Sequence, residues 1–395
     1  MSSFGIVMSG GGARGAYEVG VLGYLYREFP RRYGRIPHFD VICGTSVGAV
    51  NSTALAATMN DPETGMMLLN DVWTSQDLGD VLHFNLRQAT RLYRVWLGGG
   101  PAAGIFDPRP LALLISHRIP WRQLVRNLKQ RLISALTVSA TNVRTGRPTV
   151  YIDRAMGVPL PKSGPRVVIQ PSHILPQHVL ASAAMPLVFP PVRIGNDYFC
   201  DGGIRLNTPT SPAIHMGVDR MFVIGVTTPN RQTEIRMGRT PGAAFLIGKA
   251  LDALMLDHIE HDVQRMQLIN DLLADGNAAF GDSFLDRLNA AAAARGGLPR
   301  RVIRNFVLHP SLDIGLLAAE HLTSHRPKFT RMMGQAMLRL LEVGEGRDAD
   351  LASYLLFDGD FARMLIDLGR QDAARHGDQI AEFLLCNQPG DQTSS

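Results

Sequence analysis

Along the first half of the chain, short apolar runs alternate with stretches of helical spacing, and turn residues divide them. Residues 4–8, Phe-Gly-Ile-Val-Met, predict a buried strand. Residues 16–26 predict a helix with Tyr17, Val21, Leu22 and Leu25 near one face. A second apolar run at 39–43 leads through a glycine-bearing turn into small residues at 49–57, again strand then helix. Residues 136–142 and 149–153 predict two strands joined by a turn at 144–147. Residues 211–216 predict a helix and 221–227 a further buried strand. Such alternation predicts an α/β fold, a parallel-containing sheet with helices on its faces.

Residues 61–134 read as mostly helical, with a glycine-rich loop at 97–104 bordering the site entrance. In the second half, 229–242 predict a mobile polar loop and 243–273 a long helix. Its stripe, Ile247, Leu251, Leu254, Ile259, Val263, Met266 and Ile269, suits a core face. The alanine run 290–294 with Gly296-Gly297 predicts a loop insertion, and 305–309 a last strand. Residues 330–385 predict helices forming a cap or a self-association surface, which leaves room for a homo-oligomer. The polar tail 387–395 is expected to be disordered.

Two glycine clusters carry candidate chemistry. Gly44-Thr45-Ser46-Val47-Gly48 stands between strand and helix and reads as a nucleophile elbow. Gly44 and Gly48 let the turn close, and Ser46 sits at its corner beside a helix N-terminus. The second cluster, Ser9-Gly10-Gly11-Gly12-Ala13-Arg14-Gly15, follows the first strand. Successive glycines there can aim several backbone N–H groups into one anion-holding concavity, with Arg14 adding positive charge. Gly10, Gly12 and Gly15 also satisfy G-x-G-x-x-G, so a dinucleotide-binding regulator is a rival reading. That reading needs an acidic residue at the end of the second strand. The nearest, Asp40, stands at the start of that strand instead. A P-loop requires G-K-[ST] after the glycines, which is not present.

Two further pieces complete an ordered set. Residues 181–186, Ala-Ser-Ala-Ala-Met-Pro, read as a small-residue helix end stopped by proline. Residues 191–194 and 199–203 read as a hairpin about Gly195-Asn196, ending in Asp201-Gly202-Gly203. The order G-G-G-x-R-G, G-T-S-x-G, A-S-x-A-x-P and D-G-G resembles the patatin-like phospholipase family. The resemblance covers residues 4–60 and about 135–228, and residues 354–358 with 365–369 look like a tail of bacterial members. It implies a three-layer α/β/α sandwich with a mostly parallel central sheet and a helical C-terminal extension. It also implies that Ser46 is the nucleophile and Asp201 the aspartate of a Ser-Asp dyad. Gly10 to Gly15 match the family's oxyanion loop, with Gly10, Gly11, Gly12 and Arg14 as its working residues. The matching block at 181–186 is structural.

The expected reaction is hydrolysis of a lipid or other acyl ester through an acyl-serine, independent of calcium. A serine hydroxyl needs a base within hydrogen-bond reach, and an ionised Asp201 can take its proton. A histidine triad is the alternative. It would draw on His215, His258, His261, His309, His321, His325 or His376, none of which stands in a recognisable loop motif. A soluble small-ester esterase is a second alternative. The three cysteines, Cys43, Cys200 and Cys386, have no metal-ligand spacing, and no cofactor or metal is expected.

The sequence of 395 residues is 45% apolar and 19% charged, within the globular range. The expected domains are a catalytic core at 1–230, a helical extension at 231–386 packed on it, and the tail. Scarce cysteine predicts a reducing compartment, the cytoplasm. The first strand begins by Phe4, and neither a signal peptide nor a membrane span is expected. The net charge is +5, with arginines clustered at 27–35, 118–131 and 295–304. That balance suits peripheral contact with an anionic membrane. Without interleaved aromatics or a recognition motif, no nucleic-acid partner is expected. The many second-half residues without an assigned role leave room for an activating ligand or partner.

Overall fold

The computed structural model describes residues 3–75, 83–84, 104, 106–164, 167–228, 259–297, 299–326, 329 and 350–385. Its centre is a nine-stranded sheet. The strands are β1 (Phe4–Met8), β2 (Val41–Thr45), β3 (Ala135–Asn142), β4 (Pro148–Arg154), β5 (Val168–Pro171), β6 (Val192–Ile194), β7 (Asp197–Asp201), β8 (Arg220–Ile224) and β9 (Arg304–Leu308). The spatial order is β9-β8-β1-β2-β3-β4-β5, with β7 pairing β3 and β6 pairing β7. The run from β9 to β3 is parallel throughout, and β4, β6 and β7 bring in the antiparallel pairs.

Both faces of the sheet are buried, and the two-residue period of a strand sorts the side chains. Ile6, Met8, Ile42, Phe222 and Ile224 enter one core, whereas Val7, Val41, Cys43, Met221 and Val223 enter the other. The first core is covered by α1 (Ala16–Gly23), α2 (Val47–Ala57), α3 (Pro62–Thr74) and, from beyond residue 300, α7 (Ile314–Ser324), α8 (Asp350–Leu355) and α9 (Gly359–Arg375). The second is covered by α5 (Thr210–His215) and α6 (Ile259–Phe280); α4 (Pro176–Ser182) packs with the first core. The architecture is α/β with a mostly parallel central sheet and helices on both faces.

Helices α1 and α9 cross at two glycines. A Cβ on Gly20 would lie 2.0 Å from the Ile366 carbonyl oxygen, and one on Gly369 would lie 2.1 Å from that of Tyr17. The missing side chains let the backbones touch, so the helix after the glycine-rich loop is fixed by residues more than 300 positions away. Trp73 stacks on Phe357 at 6.1 Å between ring centroids and extends the same seam. The Tyr17 hydroxyl donates to Asp372 across 3.2 Å.

Several expected elements shift. The helix from Ala16 passes after Gly23 into a π-helical turn, Tyr24–Glu28. The alanine run is not a loop: it ends the helix Phe284–Ala294, and the chain turns only at Arg295. Alanine has the highest helix propensity of any residue, and that outweighs the following glycines. The long second-half helix reaches Phe280. The expected loops at 97–103 and 229–242 and the tail 387–395 lie outside the described residues. Among the described residues, no helix is long and apolar enough to cross a membrane.

Candidate active site

The two glycine clusters meet at the carboxyl edge of the parallel strands, where β1 and β2 end side by side. Open α/β sheets place ligands at this edge. Ser46 follows β2 directly and stands at the N-cap of α2 with φ 55° and ψ −125°. An L-residue there is strained by about 1–3 kcal/mol, so the surroundings must hold it. They do so from both sides. The Ser46 amide donates to Ser182 Oγ at 2.8 Å, and the Ser182 hydroxyl donates to the Ser139 carbonyl at 2.6 Å. The Ser46 carbonyl accepts from the amide of Ala49 at 2.9 Å.

Gly44 and Gly48 are required by contact. A Cβ on Gly44 would lie 2.2 Å from the Gly48 carbonyl oxygen, and one on Gly48 would lie 2.5 Å from that of Met8. The elbow therefore packs without clearance against the end of β1.

Asp201 is fully buried at the end of β7, and Ser46 Oγ donates to its Oδ2 at 2.6 Å. Its other oxygen, Oδ1, accepts from the Gly203 amide at 2.7 Å. The Asp201 amide donates to the Ala184 carbonyl at 2.9 Å. The block at 181–186 thus grips both members of the pair, one through Ser182 and the other through Ala184. Burial raises the Asp201 carboxyl to about 7, against the lowering effect of its bonds from Ser46 and Gly203. Among the described residues, no histidine bonds to Ser46 or Asp201.

Gly10, Gly11 and Gly12 lie beside this pair and differ from one another. The Gly10 amide donates to the Asn207 carbonyl at 3.1 Å, so it is not offered to a ligand. Gly10 matters by its bareness: a Cβ there would lie 3.0 Å from Ser46 Cβ and 2.4 Å from Asn207 Oδ1. The amides of Gly11 and Gly12 have no acceptor among the described residues. Gly12 has φ +56°, and a Cβ on it would lie 2.2 Å from the Tyr354 carbonyl oxygen. Arg14 is buried and turned into the protein. Its Nε donates to Ser353 Oγ at 2.8 Å, and its guanidinium lies 4.1 Å from the centroid of the Tyr354 ring. These contacts anchor the loop to α8.

Sequence reasoning missed Asn207, whose side-chain amide also donates to the Gly10 carbonyl at 3.3 Å. It missed the special role of Ser182 within a block read as structural, and it missed Ser353. Nothing local marks these positions, because each acts on a residue more than 100 positions away. Asp40 accepts from the Phe4 amide at 2.9 Å at the opposite edge of the sheet, away from Gly10 to Gly15. Asp40 is therefore not placed to serve as the ribose acid of a dinucleotide site.

Residues 6–214 match the family model described as patatin-like phospholipase. A cGAMP-activated phospholipase of Pseudomonas aeruginosa is 28% identical over 219 residues, 53% of this chain and 55% of that protein. One of Escherichia coli is 26% identical over 213 residues, 51% of this chain and 52% of that protein. The matched stretch spans about half the length of these curated relatives. Human GIVD cytosolic phospholipase A2 aligns over 97% of this chain and 60% of its own, with 11% identity and a TM-score of 0.41. The family match extends over more than half of the sequence and contains every motif of the site, and the chain belongs to the patatin-like phospholipase family.

Proposed function

We propose that the protein is a lipid acyl hydrolase with Ser46 as nucleophile, Asp201 as general base and the amides of Gly11 and Gly12 as oxyanion donors. The observation that carries this reading is the 2.6 Å hydrogen bond from a strained elbow serine to a fully buried carboxylate. Ser46 Oγ attacks the ester carbonyl carbon while its proton passes to Asp201 Oδ2. The carbonyl oxygen gains the negative charge and is held by the two amides. One such donor is worth about 3 kcal/mol in the transition state. On collapse the C–O bond to the leaving alcohol breaks, and Asp201 returns the proton to that alkoxide. Water then attacks acyl-Ser46 and gives its proton to Asp201, and Ser46 departs with that proton as the fatty acid forms. Arg14 holds the loop in this scheme and does not touch the substrate.

Mass spectrometry after exposure to a fluorophosphonate tests the reading. The expected result is an adduct on Ser46 that is lost in Asp201→Asn. Well-folded native protein without an adduct even in the presence of cyclic GMP-AMP, or Asp201→Asn with full activity on phospholipid vesicles, would refute it.

A second element concerns regulation. Both bacterial relatives are named cGAMP-activated phospholipases, which supports a cyclic dinucleotide as activator here. Vesicle hydrolysis with and without cyclic GMP-AMP tests this, and an equal rate in both samples would reject it.

A further inference from the structure

A cavity of about 330 Å³ lies at the amino edge of the parallel strands, the edge opposite Ser46. Its walls come from the segments entering β8 and β9, from the chain following β4, and from α6. Leu160, Ile214, Met216, Met266, Ile269 and Ile303 make it apolar. The polar groups are cationic or neutral: His215, Asn270, Arg300 and Arg301, with no Asp or Glu in the lining among the described residues. Ligand pockets commonly combine an apolar wall of this kind with a few charged groups that fix the head of the ligand.

Two of the polar groups are committed to the fold. Asn270 donates to the Ile303 carbonyl at 2.9 Å and accepts from its amide at 3.0 Å. Arg301 donates to the carbonyls of Ile214 at 2.6 Å and Val218 at 3.2 Å, and its Nε lies 3.6 Å from Asp219. His215 is exposed, and its Nδ1 faces the Ser211 carbonyl at 2.6 Å. The Arg300 guanidinium makes no ion pair or hydrogen bond among the described residues. An exposed arginine thus lines an apolar cavity that bears no acid among the described residues. The partly exposed wall residue Ile269 continues into exposed Leu268 and Leu272.

We propose that this cavity binds a fatty acid, with the carboxylate on Arg300 and the hydrocarbon chain along Ile269 and Met266. The pairing follows from charge complementarity at Arg300 and burial of alkyl surface inside. The choice of a fatty acid as the anionic amphiphile rests on the acyl-hydrolase reading, because it is the product class of that reaction. The protein would then sense its own product at a second site.

The test is calorimetric titration of the full chain with dodecanoate below its micellar concentration, after fluorophosphonate treatment to occupy Ser46. Dodecanol serves as the uncharged control. Arg300→Glu and Ile269→Glu alter exposed or partly exposed positions and leave the fold intact. We expect one dodecanoate per chain, with affinity about tenfold or more weaker in each variant and for dodecanol. Unchanged affinity in Ile269→Glu would remove the cavity from the account. Unchanged affinity in Arg300→Glu, or dodecanol binding as tightly as dodecanoate, would remove the carboxylate pairing. Failure of Ser46 to label would overturn the hydrolase reading alone, because the variants still locate dodecanoate without turnover.

Discussion

Arg14 Nε reaches Ser353 Oγ at 2.8 Å, a buried hydrogen bond that spans 339 positions of sequence. It ties the loop carrying Gly11 and Gly12 to α8, where the Tyr354 ring lies beneath the same guanidinium. Arg14→Lys should keep the charge but lose the planar fork and much of the ring contact. The expected outcome is a fall in kcat of at least tenfold with little change in KM, measured on phospholipid vesicles. A change confined to KM would place Arg14 in substrate binding instead.

Gly12→Ala confronts the Tyr354 carbonyl at 2.2 Å and adds a side chain at φ +56°. Either effect costs about 1 kcal/mol or more, and together they should displace the loop. Thermal unfolding should shift downward, and fluorophosphonate labelling should slow by a larger factor than folding alone explains.

Ser182→Ala leaves the Ser46 amide and the Ser139 carbonyl without their partner in a buried setting. The expected destabilisation is about 1–3 kcal/mol by chemical denaturation. The elbow strain would then have one restraint fewer, so kcat should fall even where the variant is fully folded. Unchanged kcat in folded Ser182→Ala would show that the elbow holds its shape without this bond.

The Asp201 carboxyl is raised by burial to about 7. In the proposed mechanism Asp201 is the base and must be ionised, so kcat/KM should rise with pH and level off above about 7. The sign for stability is opposite. The folded state binds this proton more tightly than the unfolded chain, so the group's contribution is full at low pH. It is lost as pH climbs from the ordinary carboxylate range through about 7. Asp201→Asn should therefore unfold at a higher temperature than native protein at pH 8, with the difference vanishing near pH 4, while remaining inactive. A lower Tm for the variant at pH 8 would contradict the buried-carboxylate argument. Sites built for chemistry often oppose stability in this way.

The frame of this molecule was legible because its strands are short apolar runs with glycine turns. The pairs β1 with β2 and β3 with β4 lie within a few residues of their expected bounds. The tight packing at Gly10, Gly12, Gly44 and Gly48 was legible too, since close backbone approach leaves glycine in the sequence. The supports were not. Ser182, Asn207 and Ser353 are ordinary polar residues whose meaning lies in a distant partner. The same limit applies to the Gly10 amide, whose bond to the Asn207 carbonyl follows from tertiary structure alone. The alanine run before Gly296 misled for a different reason: the glycines mark where the helix stops, not where a loop begins.

The contact of Gly12 with Tyr354 also bears on when the site can exist during synthesis. Ser46 and Asp201 are translated within the first 201 residues, yet the wall behind the glycine loop arrives only with residues 353 and 354. At about 5–20 residues per second, translation leaves an interval of many seconds in which the pair is present without that wall. A ribosome-bound chain arrested before residue 350 should therefore resist fluorophosphonate, whereas one extended past residue 385 and clear of the exit tunnel should react. On the proposed reading, ester hydrolysis would be withheld until residues 353 and 354 have been made and folded against the glycine loop.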